Sequence, residues 1–204
     1  MRFSSAIAFV DEAGPVKIHD RYHMFLSCVV TNDYRLDWIG DSRYHFRKDH
    51  EERRKEFLTT LVGNKGQFRV VLLKYEILSD EISDQYFRIY LEYPLREIME
   101  LVENEVEIFY DSLNDKLSKS RKREFNSKVG EIIRKEKRRV SVKLNLSLGD
   151  SSNKKNLYKK GIMIADYVVS AEFASFQGSL SQDLYTLLNT LRETYVSQKQ
   201  VTLP

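Results

Sequence analysis

Ten segments of the chain follow one another in two apolar rhythms, and their order restricts the available folds more than any other feature. Five are short apolar or alternating runs that predict strands: Ala6–Asp11, His23–Thr31, Gln67–Leu78, Glu105–Asp111 and Arg139–Leu148. Five carry helical spacing: Asp49–Val62, 84–104, 117–137, Leu157–Phe176 and 181–197. Ser83 or Asp84 would cap the second helix, and Pro94 would kink or split it. Glu-Ala-Gly-Pro at 12–15 predicts a turn after the first strand. An opening antiparallel hairpin followed by strand–helix alternation predicts an α/β fold. Its mixed sheet would have about five strands flanked by helices. No repeat or long linker divides the chain, so residues 1–204 would form a single domain, with 181–204 as a C-terminal helix and tail.

Composition agrees with a packed domain. At 204 residues a folded chain buries roughly 70% of its unfolded surface. Eight Gly and three Pro among them leave few breakers, which excludes collagen-like and low-complexity readings. Cys28 is the one cysteine, so neither an internal disulfide nor a cysteine zinc cluster can form, and its strand position predicts a core residue. No apolar run approaches the ~18 residues of a membrane span. The N-terminus lacks a long apolar leader, so a cytoplasmic protein without membrane contact is expected.

Charge is unevenly placed. Between Lys116 and Lys143 stand twelve Lys or Arg against three Glu, a local +9 in a chain whose net charge is +3. Lys116 and a helix bearing Lys119, Arg121, Lys122 and Arg123 near its start could track a phosphate backbone, or the helix could simply present a solvated face. Lys154, Lys155, Lys159 and Lys160 precede Asp166 and are candidates of the same kind. The stretch Arg43-Tyr44-His45-Phe46-Arg47-Lys48-Asp49-His50 mixes aromatic and basic residues. It could contact a nucleic acid strand, with His45 assisting proton transfer, or serve as a solvated loop.

Three carboxylates sit in apolar surroundings. Asp11 ends Ile7-Ala8-Phe9-Val10, Asp111 ends Ile108-Phe109-Tyr110, and Asp166 interrupts the apolar Gly161–Val169. A buried carboxylate is costly unless paired, hydrogen-bonded or bound to metal. Strand ends at the carboxyl edge of an open α/β sheet are common ligand positions, and clustered carboxylates suit Mg²⁺ or Mn²⁺. Asp11 and Asp111 could equally cap turns, and Asp166 could join an ion pair. Glu12 faces away from Asp11 in a regular strand and could join it only if the chain bends at 12. No glycine-rich phosphate loop, nucleophile elbow or metal-binding His pair is present.

FVDEAG at 9–14, IFYD at 108–111 and SLGDSSNKKNLYKKGIMIADYVVSAEF at 147–173 together resemble the prokaryotic family catalogued as domain of unknown function 3800. The family's usual Asp-Glu-Ser-Gly is here Asp11-Glu12-Ala13-Gly14, and its late Ala-Asp is Ala165-Asp166. The resemblance implies a ribonuclease H-like three-layer domain. It implies that Asp11, Asp111 and Asp166 hold metal, with Glu12 assisting. The fold's usual first-helix Glu would be Glu51, Glu52 or Glu56.

The leading expectation is a divalent-metal-dependent nuclease, or a related phosphoryl-transfer enzyme, acting on DNA or RNA. The alternative is a non-catalytic ribonuclease H-like module that binds nucleic acid or a protein partner. Twelve Tyr and eleven Phe could also feed a homodimer interface.

Overall fold

A computed structural model describes residues 2–40, 43–78, 85–111, 119–136, 138–146 and 154–204. The opening hairpin is longer than expected. Strand β1 spans Phe3–Ile18 and β2 spans Arg21–Thr31, paired antiparallel with Asp11 opposite Ser27. Gly14-Pro15 does not turn the chain. It forms an irregularity within the ladder, between Ala13 and Val16, where Gly14 adopts φ +105°. A side chain at 14 would meet the His23 carbonyl at 2.8 Å, so glycine is required there twice over.

Helix α1 (Glu51–Gly63) leads to β3 (Arg69–Ile77), antiparallel to β2. The predicted 84–104 helix is split: a π-helical turn covers Arg88–Glu92 and α2 covers Tyr93–Leu101, with Pro94 in its first turn. The backbone stays helical across the junction, where Tyr93 N–H donates to the Arg88 carbonyl, so the proline without an N–H is taken up next to the wider π turn. The Ser83 and Asp84 caps lie outside the described residues. Strand β4 (Val102–Tyr110) runs parallel to β1, and β5 (Ser141–Asn145) parallel to β4. Helix α3 (Lys119–Lys135) lies between them in sequence. The long helix α4 covers Lys155–Phe176.

The C-terminus departs most from expectation. The last helix, α5 (Gln182–Leu191), stops at Leu191 and a short 3₁₀ turn covers Arg192–Thr194. Residues Tyr195–Leu203 then form β6, parallel to β3. The predicted tail is therefore a sixth strand, and the sheet order is β5-β4-β1-β2-β3-β6. Glu172, fully buried on α4, locks this turn. Its carboxylate accepts from Arg192 Nε at 2.7 Å and Nη2 at 3.0 Å. Two charge-assisted bonds satisfy a group that burial would otherwise make costly.

The molecule is an α/β fold with a six-stranded mixed sheet and helices on both faces. Alternation along β1 divides the core. Ala6, Ala8 and Val10 face α2 and α3, while Ile7 and Phe9 face α1, α4 and α5. Among the described residues no helix is long and apolar enough to cross a membrane.

Helix α4 crosses β1 at its closest point through Gly161. A Cβ there would lie 2.2 Å from the ring of Phe9, which is itself stacked on Phe109 with centroids 5.5 Å apart. Nothing larger than hydrogen fits between the two elements. Gly161→Ala is accordingly expected to destabilise the fold by about 1–3 kcal/mol, the usual cost of overpacking a tight core. In a Phe9→Leu background the same change should cost less, because the obstructing ring is gone. Urea unfolding of the four proteins of this cycle measures both effects; additive costs would place the obstruction elsewhere.

Candidate active site

The parallel ladder between β1 and β4 ends with Val10 opposite Tyr110. One further bond follows, from Asp111 N–H to the Val10 carbonyl at 3.1 Å. The residues just past this rung are Asp11 and Asp111, so the end of one ladder sets two carboxylates side by side at neighbouring strand ends. From the Gly161 contact, α4 runs on to Asp166. Ser27, opposite Asp11 on β2, donates its hydroxyl to the Ala165 carbonyl at 2.9 Å and ties the helix to the sheet beside both acids. The three aspartates line one cleft of about 720 Å³.

Asp11 is the most constrained of them. Burial pushes its carboxyl pKa well up, and the charges of Glu12, Asp166 and Asp111 push it in the same direction. Its one hydrogen bond among the described residues, from the Glu12 N–H at 2.8 Å, acts against them. Asp111 accepts from Tyr158 Oη at 3.3 Å; that hydroxyl also reaches the Tyr110 carbonyl at 2.9 Å.

Asp166 has a second occupation. Its Oδ2 accepts from the Phe46 N–H at 3.0 Å and lies 3.1 Å from His45 Nδ1, while Oδ1 accepts from Ser170 Oγ at 3.1 Å. It thus anchors the loop carrying residues 43–49. Asp49 closes the same loop: it accepts from the His45 N–H at 2.9 Å and from the Tyr167 hydroxyl. Phe46 is buried beneath, and Tyr44 stacks on Phe57 with centroids 4.5 Å apart.

Glu12 borders the cleft, but the ladder stays regular through Ala13. The bend at 12 that would turn Glu12 to the face of Asp11 is not made. By strand alternation Glu12 belongs to the opposite face, where its charge helps push up the Tyr90 hydroxyl pKa, a shift caused first by burial. Glu51, Glu52 and Glu56 are exposed on α1 and none lines the cleft.

The predicted cations disperse. Lys159 lines the cleft. Lys154 is paired with Glu107, and Lys155 is exposed. Lys160 is buried and donates to the Leu36 carbonyl at 3.2 Å. Arg121 sits over the Tyr86 ring and Arg123 is exposed, both on α3, which packs on the face opposite α4. Lys116 and the side chains of Lys119 and Lys122 lie outside the described residues. Of the cleft's other groups, Asp49, Tyr158 and Ser170 carry no sequence signature as strong as the three aspartates. Ser170 alone was readable, standing four residues after Asp166 on one helix face.

Carboxylates are the donors a hard divalent cation takes, and Asp11 accepts few bonds of its own. Among the described residues, however, no three Asp, Glu, His or Cys side chains already form a metal-holding group. The donor chemistry fits Mg²⁺ or Mn²⁺; Asp166, engaged by the loop, is the least available donor. No family model matches the sequence, and no curated protein matches it.

The raised pKa of Asp11 has a stability consequence. Protonation is favoured by folding, so its stabilisation is complete below the ordinary value of 3.8 and is lost as pH rises through the raised one. At neutral pH the ionised group opposes folding. Asp11→Asn should therefore melt at a higher temperature than the wild type at pH 7 without divalent cations. The gain should shrink as pH falls toward 4. An Asn variant that is less stable at pH 7 would contradict this electrostatic account.

Proposed function

We propose that this chain is a ribonuclease H-like member of the family it resembles, acting as a divalent-metal-dependent nuclease or related phosphoryl-transfer enzyme on nucleic acid. One observation carries the reading: Asp11 is buried in the field of Asp111, Asp166 and Glu12 within one cleft. Such an arrangement opposes folding unless a proton or a cation offsets the charge, and carboxylates held this way in a cleft are a mark of functional sites. The source of the acids supports the same view, since the first strand, its parallel neighbour and a helix packed on them each contribute one. Asp11, Asp111 and Asp166 would hold Mg²⁺ or Mn²⁺, with Glu12 a neighbouring charge. A bound ion of this kind supplies a water of lowered pKa and stabilises a leaving phosphate oxygen. The chain's own part is to fix the carboxylates on rigid elements and to hold the substrate.

A second reading rests on the bonds from loop 43–49 to Asp166. A site whose third carboxylate is engaged by its own chain suits a non-catalytic module that binds nucleic acid or a protein partner.

Cleavage of labelled single- and double-stranded DNA and RNA separates the two. The nuclease reading predicts cleavage that requires Mg²⁺ or Mn²⁺. Activity should fall by more than about 100-fold in Asp11→Asn, since even residues outside a metal's direct ligands cost 10–100-fold. Mn²⁺ should also raise the melting temperature of the wild type but not of Asp11→Asn. Equal cleavage by both proteins would remove Asp11 from the chemistry. Binding without cleavage of any substrate would favour the module.

A further inference from the structure

The rim of the cleft is basic although its floor is acidic. Arg43, Arg47 and Lys48 project from the loop over the floor, and Lys159 comes from the first turns of α4. All four are exposed. Among the described residues none of their side chains forms an ion pair, in contrast to the cations around them. Arg53 bonds Asp49 and sits over the Tyr44 ring. Arg54 donates to the Phe46 carbonyl at 2.8 Å and sits over its ring. Lys154 and Lys143 both pair with Glu107.

The loop is built to present these charges. Phe46 and Tyr44 plug into the core, Arg54 clamps the backbone from behind, and Asp49 and Asp166 receive the loop's N–H groups. The residues between and beside the plugs face outward. Exposed cations around an acidic floor match a phosphodiester chain, whose repeated negative charges would be held at the rim while one group lies over the carboxylates.

We propose that Arg43, Arg47, Lys48 and Lys159 hold the backbone of a nucleic acid strand across the cleft, and that the basic helix α3 does not. The proposal rests on the nuclease reading and adds where its substrate is gripped. Helix α3 has the higher charge, but Phe125, Val129 and Ile132 pack it on the opposite face of the sheet.

Fluorescence anisotropy of fluorescein-labelled single-stranded DNA, single-stranded RNA and their duplexes tests this in EDTA, where cleavage cannot interfere. Arg47→Ala/Lys48→Ala should weaken binding at least tenfold. It should also lower the salt slope by about 1.4–1.8, for two lost phosphate contacts. Lys159→Ala should weaken binding in the same direction. Arg134→Ala/Lys135→Ala removes the same charge from α3 and should change affinity less than twofold. Unchanged melting temperatures would show that the variants fold. Equal losses at the rim and on α3, loss on α3 alone, or no binding by the wild type would each overturn the proposal. Rim-dependent binding by a wild type that never cleaves would leave the rim in place and reject the nuclease reading.

Discussion

The close approach of α4 to β1 is the contact on which the rest of the cleft depends. Gly161 lets the helix lie against Phe9, and Phe9 is held by its stack on Phe109 in the neighbouring strand. From that point both elements lead toward the same edge. Two residues along β1 is Asp11, about 6.6 Å further on. Five residues along α4 is Asp166, about 7.5 Å further on. The parallel partner β4 delivers Asp111 just past the last rung of its ladder. A wider helix–sheet spacing would part the acids without altering a single one of them.

Electrostatics explains why so much structure converges there. Like charges drawn together under a helix oppose folding, so the surrounding scaffold has to be rigid enough to tolerate them. Ser27, Ser170 and Tyr158 supply hydrogen bonds at the edges, and the pair of buried Glu172 with half-buried Arg192 locks the turn before the sixth strand. The loop bearing Phe46 is fastened by Asp166 itself, which links the acidic floor to the basic rim. One carboxylate thus serves both halves of the cleft. Any partner drawn to the floor also meets cations on a loop that the floor helps to anchor.

Much of this was readable from residue patterns, and the exceptions have physical causes. Asp11, Asp111 and Asp166 stood out because each interrupts an apolar run, and the cleft contains all three. The first five strands were visible through alternation or continuous apolarity. The sixth was not: Tyr195–Leu203 is polar at most positions, and its strand state comes from the free edge of β3. Gly14-Pro15 carried a turn signal, yet positive φ at Gly14 is absorbed as an irregularity inside a continuing ladder. The basic run at 116–143 left its placement open for another reason. Net charge along a chain does not tell which face of a sheet a helix will cover, and the apolar stripe of α3 sends it to the far side. The shorter basic stretch at 43–48 was ambiguous by itself. Its role in the cleft depends on bonds to residues more than a hundred positions away.

The central claim is that the three aspartates form one cation-dependent centre. A crystal of the protein soaked in Mn²⁺, with anomalous scattering recorded at the manganese edge, tests it most directly. The account predicts a peak in the cleft within roughly 2.0–2.6 Å of carboxylate oxygens from Asp11 and at least one of Asp111 and Asp166. No peak at saturating Mn²⁺, with loop 43–49 still bonded to Asp166, would contradict it.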